Sequence, residues 1–256
     1  MLPSGNKRRS AGFTILELLV VVGIMAVLFT LLSTTIGRIY DRAKIITCAS
    51  NERQIYMACL NYANDNDNTL PCPSLDWETP TCGEGPQVCW AMDAVSVADF
   101  QVGSIWPYMP ESLAARQATL MCPSDTTGYA RIGGNVVANR NFSYSFNANI
   151  RINGDTASTL TMQFRQIVQP AVRVLIYEEF APNDAWCCGP GDSDDWLSGR
   201  HGGNNSSSYS ESVTNYQSET YRNIGRANVC YFDGHIDLMT VSYYFNNTSH
   251  FTPLTQ

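Results

Sequence analysis

Three histidines occur in the chain, and two of them, His201 and His235, stand near Asp233 in its C-terminal part. Two imidazoles and a carboxylate can ligate a divalent cation, or can pin a turn through His–Asp hydrogen bonds. Asp233-Gly234 is also a strong hairpin signal, so the structural use of these residues outweighs the metal one. Asp192, Asp194 and Asp195 crowd a glycine-containing loop, GPGDSDDW. Closely spaced hard oxygen ligands suit calcium, and a solvated acidic loop is the plain alternative. The run from Asp65 to Asn68 lacks the glycine and the distal glutamate of a calcium loop, so it is expected to end a helix in Asx turns. The chain contains no G-x-S-x-G, H-E-x-x-H, C-x-x-C or phosphate-binding glycine loop, so no enzymatic activity is expected. The five tryptophans are scattered and are read as packing residues rather than a sugar-binding platform.

Nine cysteines among 256 residues are too many for an ordinary reduced chain and too few for a disulfide miniprotein. Cys48 and Cys59 fall on one predicted helix about 16 Å apart, too far to bond to each other. Each therefore needs a partner elsewhere or stays free. Cys72, Cys82 and Cys89 share one loop, where a local bridge is expected, and the adjacent Cys187 and Cys188 are expected to bond elsewhere. An odd count leaves at least one thiol unpaired within a monomer.

These groups must be positioned by a very uneven chain. Lys7, Arg8 and Arg9 precede FTILELLVVVGIMAVLFTLL at residues 13–32, in which Glu17 is the one charge. Twenty helical residues span about 30 Å, the thickness of a bilayer's hydrocarbon core, and the basic cluster predicts a cytoplasmic N-terminus. A carboxylate inside such a segment is costly and usually functional. Apolar residues continue at Ile36, Ile39, Ala43 and Ile46, then at Cys48, Ile55, Cys59 and Tyr62, with three/four spacing. Asn51-Glu52-Arg53-Gln54 is read as interrupting this stripe. One helix over residues 13–66 would be about 80 Å long. Net charge is −7, with 16 basic and 23 acidic residues, which argues against nucleic-acid binding.

Arg9-Ser-Ala-Gly12 followed by Phe13-Thr14-Ile15-Leu16-Glu17 resembles the signal of type IV prepilins and type II secretion pseudopilins. The resemblance implies cleavage by prepilin peptidase after Gly12, methylation of the new N-terminal Phe13, and an assembly role for Glu17 toward the amino group of a neighbouring subunit. A second resemblance is to a bacterial pilin-like subfamily with a C-terminal H-x9-DG motif. It rests on Cys48-Ala-Ser-Asn51-Glu-Arg-Gln54, Tyr62-Ala-Asn-Asp65, Leu70-Pro71, Met121-Cys122-Pro123-Ser124-Asp125, His201-Gly202-Gly203 and Asp233-Gly234. Here His201 and Asp233 are separated by 31 residues rather than nine, so about 204–225 is read as an insertion. Because pseudopilins commonly bind calcium near their sheet, the resemblance also favours calcium at the aspartate loop.

The expected fold is α+β and pilin-like. It has a leader (1–12), a long helix (13–32 membrane and assembly segment, 33–66 amphipathic) and an extracytoplasmic head (67–256) built on a small antiparallel sheet with long loops. Strands are expected at Asn141–Asn147, Val172–Glu178, Ala227–Phe232 and His235–Val241, with a short helix from Glu111 to Gln117. The expected function is a structural subunit of a type IV pilus or a secretion pseudopilus. It starts as a single-pass inner-membrane protein, with itself and other pilin-like subunits as partners, and ends in a periplasmic or cell-surface filament. The alternative is a membrane-anchored surface or periplasmic protein that binds glycan or metal without forming filaments.

Overall fold

The computed structural model describes residues 13–71, 103–125, 129–132, 135–138, 142–147, 163–180, 186–187, 197–202 and 219–251. Gly12, the aspartates at 192, 194 and 195, Cys72, Cys82, Cys89 and Cys188, and most of the 204–225 segment lie outside these residues. The chain divides into two compact units, Met1–Arg42 and Ala43–Gln256.

Helix α1 runs from Ile15 to Asp65. From Ile15 to Leu32 its side chains are exposed and mostly apolar, and by length and composition this helix can cross a membrane. The helix ends at residues that tolerate left-handed backbone: Asp67 and Asn68 take φ of 52° and 62°. The Asn66 side chain donates to Tyr62 O at 2.7 Å, and Asn68 N–H donates to Ala63 O at 2.8 Å, so these two of the last four carbonyls are satisfied.

In the second unit, the remaining elements follow in order: α2 (Leu113–Leu120), β1 (Tyr129–Ile132), β2 (Asn135–Ala138), β3 (Tyr144–Asn147), β4 (Val174–Glu178), β5 (Trp186–Cys187), α3 (Glu219–Ile224), β6 (Arg226–Tyr231), β7 (Ile236–Thr240) and α4 (Val241–Asn246). The main sheet has the order β5-β3-β4-β6-β7. Strands β3, β4, β6 and β7 are antiparallel, which matches the four expected, while the two-residue β5 joins β3 in parallel. β1 and β2 form a separate hairpin.

Three local expectations change. The last expected strand stops at Thr240, whose hydroxyl accepts Tyr243 N–H at 3.1 Å and starts α4 at Val241. The end of the presumed insertion is helical, as α3. The β6–β7 connection is a three-residue loop rather than a two-residue one. Gly234 N–H donates to Tyr231 O, Tyr231 N–H donates to His235 O, and Gly234 sits at φ 84°, the left-handed glycine position of such hairpins.

Strand alternation builds two apolar layers. Ala227, Val229 and Tyr231 of β6 pack on one face with Met239, Tyr244 and Phe251. Cys230 and Phe232 point the other way, onto the α1 face formed by Cys48, Ile55, Tyr56, Cys59 and Tyr62. In β4 the alternation slips: Leu175 and Ile176 both join the α1 side. A register irregularity between Val174 and Ile176 accounts for it. The turn is keyed to α1 as well. A Cβ on Gly234 would come within 2.4 Å of the Tyr56 ring, and Tyr56 donates its hydroxyl to Phe232 O at 3.1 Å.

Candidate functional site

The start of α1 is built from Thr14 and Glu17. Thr14 Oγ1 accepts Glu17 N–H at 3.3 Å, while Glu17 Oε2 accepts Thr14 N–H at 2.9 Å and the Thr14 hydroxyl at 2.8 Å. This is a reciprocal capping box, written in the sequence as T-x-x-E ahead of an apolar run. Phe13, at the end of the described chain, is 84% exposed.

A second constellation lies in the core of the other unit. Asn51 and Glu52, which break the apolar stripe in the sequence, are both buried. The buried stripe is continuous in space, and the head supplies hydrogen-bond partners for Asn51. Asn51 Nδ2 donates to Ala118 O, Met121 O and the Tyr144 hydroxyl at 3.0–3.3 Å. On the sheet side, Glu178 of β4 and Asn228 of β6 point toward α1. Asn228 Nδ2 donates to Glu178 Oε1 at 3.0 Å and to Ile45 O at 3.1 Å.

His201 completes the group. Its backbone N–H donates to Arg226 O at 2.9 Å, which fixes the residue at the start of β6. Its Nε2 lies 2.9 Å from Glu178 Oε1 and 3.7 Å from Cys122 Sγ. Cys122 is disulfide-bonded to Cys48 of α1, with Cα atoms 5.2 Å apart, so the disulfide partner sought for Cys48 comes from the segment after α2. Ser124 N–H donates to Cys122 Sγ at 3.4 Å. Asp125 Oδ2 accepts the Ser143 hydroxyl at 2.6 Å and pairs with Arg200 Nη2 at 3.0 Å. Arg200 Nη1 is 3.9 Å from Glu178 Oε2.

Glu52 is the outlier. Neither carboxylate oxygen has a hydrogen-bond partner. Burial, and after it the charge of Glu178, push its carboxyl well above the usual carboxylate range. Its neutral form is thereby favoured. Burial likewise pushes the free thiols of Cys59 and Cys230 upward, which keeps them protonated and inert.

The expected His201/Asp233/His235 set is not brought together. His201 sits beside the first residue of β6, and Asp233 and His235 lie beyond its last. Six strand residues put these places roughly 20 Å apart. Asp233 and His235 pair with each other instead. Asp233 Oδ1 accepts His235 N–H at 3.0 Å and lies 2.5 Å from His235 Nδ1, and the imidazole stacks on Tyr231. Burial acts to raise the Asp233 carboxyl, but the hydrogen bonds from the His235 backbone and ring win and hold it below the usual range. This pair is exposed and closes the turn. The sequence reading missed Asn51, Glu52, Glu178, Arg200 and Asn228. Strand alternation carried a signal for two of them, since Glu178 shares the inward face of Ile176, and Asn228 that of Cys230.

Residues 7–33 match the family model described as the prokaryotic N-terminal methylation motif. The match spans the basic cluster, Gly12, Phe13, Glu17 and the apolar segment, and it marks the chain as prepilin-like. No curated protein and no solved structure gives a significant match to the chain.

Proposed function

We propose that the chain is a pilin-like structural subunit, inserted in the inner membrane and then built into a filament, either a type IV pilus or a type II secretion pseudopilus. The observation that carries this is the methylation motif over residues 7–33, whose apolar side chains from Ile15 to Leu32 are exposed on every side of α1. Proteins with this motif are structural subunits cut by prepilin peptidase. Hydrolysis of the Gly12–Phe13 bond releases the leader and leaves a free amine on Phe13, which is then methylated. Loss of Lys7, Arg8 and Arg9 takes the side-chain balance from −7 to −10. The exposed apolar run is satisfied first by lipid and then by the same run of neighbouring subunits.

Glu17 serves this reading twice. Within the chain its Oε2 caps the helix start at Thr14. Between chains its charge attracts the amino group of a neighbouring Phe13 and sets register. Mass spectrometry of the purified protein tests the processing step: a mature chain beginning with methylated Phe13 is expected, and any other start overturns it. Glu17→Ala should leave cleavage intact and reduce the yield of sheared filaments; unimpaired assembly contradicts the register role.

A surface binding protein on the same anchor is the second reading. An open groove of about 290 Å³ lined by Tyr231, Asp237, Leu238, Met239, Thr240 and Tyr243 favours it, because paired tyrosines beside a carboxylate suit a sugar. Under that reading the protein stays in membrane fractions and is absent from sheared filaments. Calcium at Asp192, Asp194 and Asp195 is carried forward as part of the pseudopilin proposal, and a thermal shift on chelation tests it.

A further inference from the structure

We propose that Cys48, Cys122, Glu178 and His201 form a zinc-class metal site in the dithiol form of the protein, and that closure of the Cys48–Cys122 disulfide abolishes it. The two sulfurs, one carboxylate oxygen and one ring nitrogen all lie within 4.8 Å of one another, and all four residues are buried. Around a tetrahedral zinc ion, with bonds of about 2.0–2.3 Å, ligand atoms stand roughly 3.3–3.8 Å apart. The donors lie within about 1 Å of that spacing once the S–S bond is open, with His201 Nε2 at 2.9 Å from Glu178 Oε1 and 3.7 Å from Cys122 Sγ, and the ligand set of two sulfurs, one nitrogen and one oxygen suits zinc or cobalt rather than calcium or magnesium.

The surroundings are those of a built site. Glu178 Oε1 is oriented by Asn228 Nδ2 at 3.0 Å. Cys122 Sγ receives the Ser124 N–H at 3.4 Å, a contact that stabilises a thiolate. Glu178 Oε2 makes no hydrogen bond and faces Arg200 Nη1 at 3.9 Å, so the guanidinium sits beside the site and offsets part of its negative charge. The ligands come from α1, the segment after α2, β4 and the residue bridged to β6. A metal ion would tie together four chain segments where the disulfide ties two.

The two states exclude each other because zinc is held by thiolates, and a sulfur bonded in a disulfide is neutral and is not a thiolate. A dithiol reductant supplies two electrons and two protons. The S–S bond breaks, two S–H bonds form, and the reductant becomes a disulfide. Metal binding then replaces both thiol protons with S–metal bonds and releases the protons to solvent. This inference does not depend on filament assembly.

Cobalt(II) added to the full-length protein in detergent tests it. Reduced wild type should develop thiolate-to-cobalt absorption and tetrahedral visible bands that saturate as a single site, and zinc should displace them. Oxidised wild type should show neither. His201→Gln and Glu178→Gln, with all cysteines intact and far-UV circular dichroism unchanged, should weaken cobalt binding by at least about 100-fold, and Asn228→Ala by about 10–100-fold, as expected for a group that orients a ligand. If reduced wild type gives no such bands, or if His201→Gln and Glu178→Gln leave them unchanged, the proposal fails. Substituting alanine for Cys59 and Cys230, which lie in the core outside the donor set, should leave the bands in place. Loss of the bands there would assign the metal to those thiols instead.

Discussion

The two ends of α1 solve opposite problems with the same backbone. From Ile15 to Leu32 the helix is apolar and exposed all round, so nothing within its own unit satisfies it. From Cys48 to Ala63 one face is buried, and that face includes Asn51 and Glu52. The first segment requires lipid or other copies. The second, Glu52 apart, has its partners written elsewhere in the same chain, down to the single hydrogen bonds of Asn51 and Tyr56. Hydrophobicity alone ranks the first segment as the better core element, yet the second is the one inside. What decides burial is whether the rest of the chain offers complementary groups.

Substitutions sharpen this contrast when thermal unfolding of the head is the readout. The largest effect is expected from Cys48→Ala in oxidising conditions. The bridge closes a loop of 74 residues, worth about 4 kcal/mol in the chain-entropy account. Gly234→Ala follows. It places a side chain at φ 84° and against the Tyr56 ring, a combination expected to cost about 2–4 kcal/mol. A melting temperature that moved by less than a degree would show that the turn is not keyed to α1.

Glu52→Gln is expected to act in the other direction, and only above the pH where the unfolded side chain ionises. The Glu52 carboxyl is raised in the folded state, so the folded chain holds a proton that the unfolded chain has lost. Stability is full below the ordinary glutamate range and falls as pH climbs toward the folded value. The neutral glutamine removes that slope. Its melting temperature should exceed wild type at pH 8 by a few degrees, about what 1 kcal/mol produces in a domain of this size, and should match wild type near pH 4. Equal slopes for the two proteins would mean that Glu52 is ionised and paired. Asp233→Asn, at the exposed turn, should change stability by less than about 1 kcal/mol. Glu17→Ala should not move head unfolding at all while it reduces assembly; a shifted head melting curve would dissolve the division between the two segments.

Legibility followed locality. The processing signal is a linear word, G-F-T-x-x-E, followed by an apolar run, and each part is meaningful where it stands. The same holds for β6 and β7, where alternation and Asp233-Gly234 speak within a dozen residues. The β1–β2 hairpin was missed although Gly133-Gly134 separates its strands, because the flanking runs are only four residues long. β5, at two residues, is too short for any periodicity to register. The polar core was illegible for a different reason. Asn51 and Glu52 look like solvent-facing residues until Tyr144, Met121 and Glu178 are placed beside them, and His201 looks like a partner for Asp233 until β6 stands between them. In space Cys48, Asn51 and Glu52 of α1, Cys122 and Asp125 after α2, and His201 converge on this one cluster.

The pairing of early and late residues sets a clock. Tyr56 waits for Phe232, 176 positions later, and the carbonyl of Ile45 waits for Asn228, 183 positions later. At about 5–20 residues per second of synthesis, the inner face of α1 stays uncovered for roughly 10–35 s after it is made. During that interval the chain has finished its apolar anchor and has nothing to lay on the segment behind it. Under the pilin-like proposal, export is therefore a period of enforced incompleteness, in which a holding chaperone on the far side of the membrane has the most to do.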